Sequence, residues 1–225
     1  MRFFATCLAL LGAVFLITQA QAQSAAHAGY EAYKRGDYAA AATLFQQACT
    51  DGDAISCYDL GVLYQDGHGM TKDEVRSAEL YQQACIGGYG LGCSNLGRLY
   101  EEGRGVAKDE TRAAGLYQQA CTSADAVGCH NLGIAYEQGL GVTKDESRAA
   151  GLYLQACTGN IASGCFHVGD LYEHGQGVPK NTARALQLYR RALTLNPTPE
   201  IAELSQAGIK RLSAVLAQHK AKRKH

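Results

Sequence analysis

The cysteines of this chain keep a strict arithmetic, and that arithmetic constrains the fold more than any other feature. Cys49, Cys57, Cys85, Cys93, Cys121, Cys129, Cys157 and Cys165 are separated alternately by 8 and 28 residues, a period of 36. Four segments follow in register from Cys57, Cys93, Cys129 and Cys165. The second reads CSNLGRLYEEGRGVAKDETRAAGLYQQACTSADAVG, and the third CHNLGIAYEQGLGVTKDESRAAGLYLQACTGNIASG. A fixed period of this length is the signature of a stacked array, because one such unit cannot bury its apolar face alone. The chain is therefore read as one extended repeat structure, although 225 residues would otherwise allow one or two ordinary globular domains.

Each unit reads as two helices. The first carries Leu60, Gly61 and Tyr64, with Leu96, Gly97 and Tyr100 as their copies. Those offsets put them on one helical face. A mid-helix glycine costs about 1 kcal/mol relative to alanine, so its recurrence implies that a neighbouring helix comes close there. A G-x-G then ends the helix, at Gly67/Gly69, Gly103/Gly105, Gly139/Gly141 and Gly175/Gly177. The K-D-E that follows puts acids at the start of the second helix, where the helix dipole favours them. Ala78, Leu80, Tyr81 and Ala84 form the apolar stripe of that second helix, and Ala114, Leu116, Tyr117 and Ala120 repeat it.

The ends depart from the pattern, as the water-facing ends of an array do. Ahead of Cys57 lies a shorter unit with Tyr33, Gly36, Asp37, Tyr38, Ala41, Phe45 and Ala48, lacking the G-x-G insertion. After Cys165 the last unit has Leu193 where a second Cys would fall. Asn196-Pro197-Thr198-Pro199 then leads into a final helix from about Glu200 to Gln218. The expected organisation is a leader over residues 1–22, an N-terminal unit over 23–56, repeats over 57–92, 93–128, 129–164 and 165–200, and a capping helix with a basic tail over 201–225.

The ninth cysteine, Cys7, lies in the leader. Arg2 precedes an apolar run from Phe3 to Ile17, and Ala20-Gln21-Ala22 supplies an A-x-A cleavage signal. That order of charge, apolar run and small residues is the chemistry of a secretory signal peptide. The run is shorter than the roughly 20 residues a membrane-spanning helix needs. Cleavage near Ala22 would leave eight cysteines, an even number, in a secreted or periplasmic chain with no transmembrane segment. Disulfides are the default in such a compartment.

Periodicity prunes the pairings. Stacked helices lie about 8–10 Å apart, so cysteines one full period apart exceed the roughly 7 Å Cα limit of a disulfide. Pairing across 28 residues strands Cys49 and Cys165. Pairing across 8 uses all eight, as Cys49–Cys57, Cys85–Cys93, Cys121–Cys129 and Cys157–Cys165, and explains Leu193. A metal set is the rival, but C-x7-C is not a zinc spacing and no His accompanies each pair. A redox dithiol is another, but no C-x-x-C occurs. The reading is thus no cofactor and no metal.

At this point the signature L-G-x-x-Y-x-x-G-x-G-V-x-K-D, followed by A-x-L-Y-x-x-A-C, resembles the SEL-like repeat. With its cysteine spacing it is similar to the secreted cysteine-rich, Hcp-type branch in bacteria. The shorter first unit is more similar to a tetratricopeptide repeat. The resemblance covers about residues 27–200. It implies an all-α fold, a right-handed α/α superhelical solenoid of helix hairpins, with a disulfide closing each C-x7-C and a concave face that binds protein or peptide. It also carries a second implication, since members of the Hcp-type branch have been described as penicillin-binding proteins with weak β-lactamase activity. One departure is Leu-Tyr where many such repeats have Trp-Tyr; this chain has no Trp.

The residues themselves give that hydrolase little. S-x-x-K, S-D-N and K-T-G, the serine β-lactamase motifs, are all absent. His27, His68, His130, His167, His174, His219 and His225 are scattered, without H-x-H or H-E-x-x-H. No catalytic residue is assigned. The binding reading has candidates instead. Set on the tetratricopeptide pattern, the first-helix positions facing the groove are Tyr58, Val62 and Gln65; Ser94, Arg98 and Glu101; His130, Ile134 and Glu137; and Phe166, Asp170 and Glu173. They vary from copy to copy while the packing positions do not, as a heteropolymeric ligand requires. Net charge is zero, which argues against a general nucleic-acid partner. That zero conceals a tail of Lys210, Arg211, Lys220, Lys222, Arg223 and Lys224 with no acid after Glu203. Such a tail could contact an anionic surface or an acidic partner. The chain is expected to act as a monomer that binds a protein or peptide ligand.

Overall fold

A computed structural model describes residues 21–222, with side chains to 218. Residues 1–20, which hold most of the expected leader, and 223–225 of the tail lie outside the described residues. The fold is an all-α solenoid of paired helices closed by four disulfides. It divides into two compact units, residues 1–108 and 109–225.

In the first unit, α1 covers residues 21–34. It is followed by α2 (Tyr38–Thr50), α3 (Ala54–Asp66), α4 (Glu74–Ile86) and α5 (Gly90–Glu102). The second unit holds α6 (Glu110–Thr122), α7 (Ala126–Gln138), α8 (Glu146–Thr158), α9 (Ala162–His174), α10 (Thr182–Thr194) and α11 (Pro199–Lys222). From α2 onward, consecutive helices within each unit pack on each other, and α11 packs on both α10 and α9.

The helix ends follow from side-chain chemistry. Asp53 and Asp125 start α3 and α7 by accepting a hydrogen bond from a backbone amide two or three residues on. Asp73, Asp109, Asp145 and Asn181 do the same for α4, α6, α8 and α10. Such a cap is worth about 1 kcal/mol. The aspartate of K-D-E is thus the cap itself, and Glu74, Glu110 and Glu146 occupy the first turn.

The mid-helix glycine does admit a close neighbour, the ring of the second helix of its own hairpin. A Cβ on Gly61 would stand 2.8 Å from Tyr81; the corresponding distances are 2.7 Å for Gly133 and Tyr153, and 3.0 Å for Gly169 and Tyr189. All three tyrosines are buried. In the N-terminal unit Gly29 meets Phe45 in the same way, at 2.7 Å.

The second glycine of G-x-G makes the contact between hairpins. With φ at +66°, a Cβ on Gly141 would fall 2.1 Å from the Glu110 carbonyl oxygen at the start of α6. Gly105 meets Glu74 and Gly177 meets Glu146 in the same way. Backbone therefore lies on backbone at this point, and no side chain fits. In the first unit Arg104, between the two glycines, adds an ion pair to Glu74 at 2.7 Å. The hydrogen bonds from Arg104 and Lys72 hold the Glu74 carboxyl down at about 2.

The disulfides pair Cys49–Cys57, Cys85–Cys93, Cys121–Cys129 and Cys157–Cys165, with Cα atoms 4.5–4.7 Å apart. Each ties the last turn of a second helix to the first turn of the next first helix.

Two glycines of the second unit separate packing from propensity. Gly141→Ala is expected to destabilise the unit by at least about 2 kcal/mol, through the left-handed backbone and the clash with α6. Gly115→Ala, where a Cβ meets nothing within 4 Å, is expected to stabilise it by about 0.5–1 kcal/mol. Urea denaturation of the two variants measures both.

Candidate functional site

The buried tyrosine of each second helix organises the first-helix positions singled out in the sequence. In the first unit the Tyr81 hydroxyl donates to Gln65 at 2.9 Å, and its ring lies 5.6 Å from that of Tyr58. Tyr58 also makes an edge contact with Tyr89 at 5.2 Å. Burial pushes the Tyr81 hydroxyl up to about 12, so it stays a donor. In the second unit Tyr153 donates to Glu137 and Tyr189 donates to Glu173 at 2.7 Å. Their rings meet His130 at 5.7 Å and Phe166 at 5.7 Å. The first and third candidate positions of these three hairpins are thus held by one buried ring, while Val62 and Ile134 between them are half-buried.

Two candidates do not lie on an open face. Ser94 is buried at 2 % exposure. Glu173 is buried at 6 %, because α11 covers it. Arg211 donates to both Glu173 oxygens, at 2.6 and 2.8 Å. Burial raises the Glu173 carboxyl, but the bonds from Arg211 and Tyr189 outweigh it and leave the group below its ordinary value. Gly208 of α11 closes on the other side of the Tyr189 ring, where a Cβ would stand 2.5 Å away. Arg211 is therefore a structural partner of α9 and not a free charge of the basic tail. The neighbouring candidate Asp170 is half-exposed, 3.4 Å from the Tyr189 hydroxyl and 3.3 Å from His174 Nδ1. In the first unit Arg98 reaches Glu102 at 3.7 Å, and Glu101 is half-buried.

His130 lies beside both Tyr153 and His167, whose ring is 5.3 Å away and itself stacks on Tyr153 at 4.8 Å. Its Nδ1 lies 3.3 Å from the Asn131 side-chain oxygen, and its Nε2 is buried without a hydrogen-bond partner among the described residues. Burial, with His167 adding to it, pushes the His130 imidazole down to about 4. Burial lowers His167 as well. Both are neutral at neutral pH. Among the described residues no group of three or more His, Cys, Asp or Glu side chains is placed to hold a metal ion. No helix among them is long and apolar enough to cross a membrane.

A cavity in the first unit brings in residues the sequence reading missed. It has a volume of about 230 Å3 and lies between α1 and α3, over Phe45 of α2. Its lining is Tyr30, Tyr33, Phe45, Tyr58, Asp59 and Val62. Only Tyr58 and Val62 were expected at such a site. Tyr30 and Tyr33 follow Gly29 as Val62 and Gln65 follow Gly61. They therefore occupy the same positions one hairpin earlier, displaced by the shorter linker. Asp59 differs in kind from its copies one, two and three periods on, which are Asn95, Asn131 and His167. Burial, with the negative charge of Asp53 added, pushes the Asp59 carboxyl up to about 6. No cation among the described residues acts on it.

The raised value makes a stability prediction. Asp59 ionises more easily in the unfolded chain, near 4, than in the folded one, near 6. Its contribution is therefore complete below pH 4 and is lost as pH rises through 6. Asp59→Asn, which puts the residue of Asn95 and Asn131 in its place, is expected to match the parent below pH 4. Above pH 6 it should be more stable by on the order of 1–2 kcal/mol. Thermal denaturation from pH 3.5 to 8 checks the sign and the window.

Comparison with known proteins agrees with this architecture. The family model described as the Sel1 repeat matches residues 18–53, 54–89, 90–125, 126–160 and 162–197. A Sel1 repeat protein from Oxalobacter formigenes superimposes with a TM-score of 0.72 at 25% identity, over 79% of this chain and 74% of that one. The protein c5321, a protective antigen of uropathogenic Escherichia coli strains, superimposes with a TM-score of 0.75 at 29% identity, over 84% of this chain and 40% of that one. A Helicobacter pylori protein named "Putative beta-lactamase HcpE" is 44% identical over 45 residues, which is 20% of this chain and 13% of the relative. The chain thus spans a small part of that curated relative.

Proposed function

Because the chain belongs to the Sel1 repeat family, we propose that it is an exported scaffold that binds a protein or peptide along a groove lined by its first helices. The observation that carries this reading is the contrast between frame and display. The glycine and tyrosine of the repeat signature recur at fixed positions, whereas the candidate side chains beside them change from copy to copy: Tyr58, Ser94, His130 and Phe166 at one position, and Val62, Arg98, Ile134 and Asp170 at the next. A catalytic group would need one special constellation; a recognition face needs graded variety in a rigid frame.

Export is supported by the leader chemistry of residues 1–22 and by four disulfides, which persist in oxidising compartments. Gln21 and Ala22 belong to the described part of α1, so cleavage after Ala22 would start the mature helix at Gln23.

The alternative is a β-lactam hydrolase, favoured by the name of the Helicobacter relative over the 45 matched residues. One set of variants separates the two. A photo-crosslinking amino acid at Val62 or Ile134 is expected to trap a polypeptide partner in the cell envelope. The same group at Glu79, exposed on a second helix, should trap none. Equal trapping at all three positions, or nitrocefin turnover abolished by a single side-chain change, would replace the binding reading.

A further inference from the structure

We infer that the cavity between α1 and α3 receives the cationic side chain, lysine or arginine, of a bound peptide, with Asp59 as its counter-ion and tyrosine rings as its walls. The inference rests on the binding reading above and supplies the chemistry of the partner.

Four observations converge on a cation. The first is the lining, which has four aromatic side chains and one carboxylate. Ring faces carry negative electrostatic potential and attract ammonium and guanidinium groups. The second is the state of Asp59. It is half-buried, the charged group that acts on it is the like-signed Asp53, and no basic group among the described residues compensates it. Across the cavity α1 contributes Tyr30 and Tyr33, and α2 contributes Phe45. Lys34, next to Tyr33 in sequence, is engaged by Glu31 at 2.6 Å, and Lys72 is engaged by Glu74 at 2.9 Å. The third is the comparison between copies. Asn95, Asn131 and His167 fill this position without a fixed negative charge, so the frame does not require a carboxylate. A group that weakens the fold and is not needed by it marks a site where stability is given up for function. The fourth is Tyr30 itself. The Lys34 ammonium already lies 4.9 Å from the Tyr30 ring centroid, so the rim of the cavity is one on which a cation rests.

Size narrows the ligand further. About 230 Å3 falls below the roughly 300–1,000 Å3 of pockets that enclose a drug-sized molecule. It suits one side chain, inserted while the rest of the peptide runs over the exposed edges of Tyr30 and Tyr33, which are 53 % and 38 % exposed. An anionic side chain would meet Asp59 with Asp53 behind it. A neutral one would leave Asp59 as an uncompensated charge.

The test uses the full chain and three capped tripeptides, Gly-Arg-Gly, Gly-Lys-Gly and Gly-citrulline-Gly, followed by calorimetry and by tyrosine fluorescence. The arginine and lysine peptides are expected to bind saturably, and the neutral citrulline isostere at least tenfold more weakly. With the Asp59 midpoint at about 6, one lost charge predicts about a tenfold fall in affinity between pH 7.5 and 5.0. Asp59→Asn should abolish both the preference for cations and the pH dependence, and Tyr30→Leu should weaken binding severalfold. Asp59→Asn keeps the residue that the frame already carries at Asn95 and Asn131, so its folding is not in doubt and circular dichroism can verify it. Equal binding of citrulline, full affinity in Asp59→Asn, or no saturation by any tripeptide overturns the inference. A random octapeptide library then locates the failure. If octapeptides free of Lys and Arg bind and protect α3 or α7 from hydrogen exchange, the scaffold reading survives and the cation pocket falls. If no octapeptide binds, both fall.

Discussion

A tyrosine ring pressed on a glycine is the contact from which the rest of this structure follows. Tyr81 on Gly61, Tyr153 on Gly133 and Tyr189 on Gly169 bring the two helices of a hairpin together at one point, where any other residue would hold them apart. The same ring reaches the candidate positions of the first helix at both ends of its contact surface. Its hydroxyl secures Gln65, Glu137 or Glu173, and its edge or face backs Tyr58, His130 or Phe166. Packing and display are therefore one feature. A hairpin cannot lose its tyrosine without releasing the first-helix side chains it holds, whereas those side chains can change without disturbing the ring. That asymmetry explains how duplicated units keep their frame and diverge on their face.

The two ends show what happens when the frame is adapted. In the N-terminal unit Phe45 takes the place of the tyrosine over Gly29. Without a hydroxyl to anchor, the position matching Gln65 is occupied by the aromatic Tyr33, and a cavity opens beside it. At the other end α11 lays Gly208 on the free side of Tyr189 and Arg211 on Glu173, covering a candidate position with a part-buried ion pair. One terminal hairpin thus offers a pocket, and the other is sealed.

Much of this was legible in the residues. The cysteine arithmetic implied the four bridges, and the Leu-Gly-Tyr and Ala-Leu-Tyr offsets implied two helices per unit. The recurring mid-helix glycine implied a close neighbour, although the offsets did not say which side chain would fill the space. Other features were hidden for physical reasons. Tyr30 and Tyr33 escaped because the shorter first linker breaks the 36-residue period on which the candidate positions were counted. Asp59 escaped because its position reads as a polar first-helix residue in every copy; its character comes from α1 and α2 closing over it. Glu173 was placed on an open face because its partner, Arg211, stands 38 residues further on in a helix outside the repeat. Arg211 was counted with the tail for the same reason.

A single carboxylate, Asp59, is left without a compensating cation among the described residues. The carbon-13 resonance of the Asp59 carboxyl, followed by NMR through a pH titration of the free protein and of the protein saturated with the arginine tripeptide, measures that directly. The account predicts a midpoint near 6 without peptide and a clear downward displacement with it, because a bound cation stabilises the ionised form. A midpoint in the ordinary aspartate range near 4, unmoved by the peptide, would contradict it.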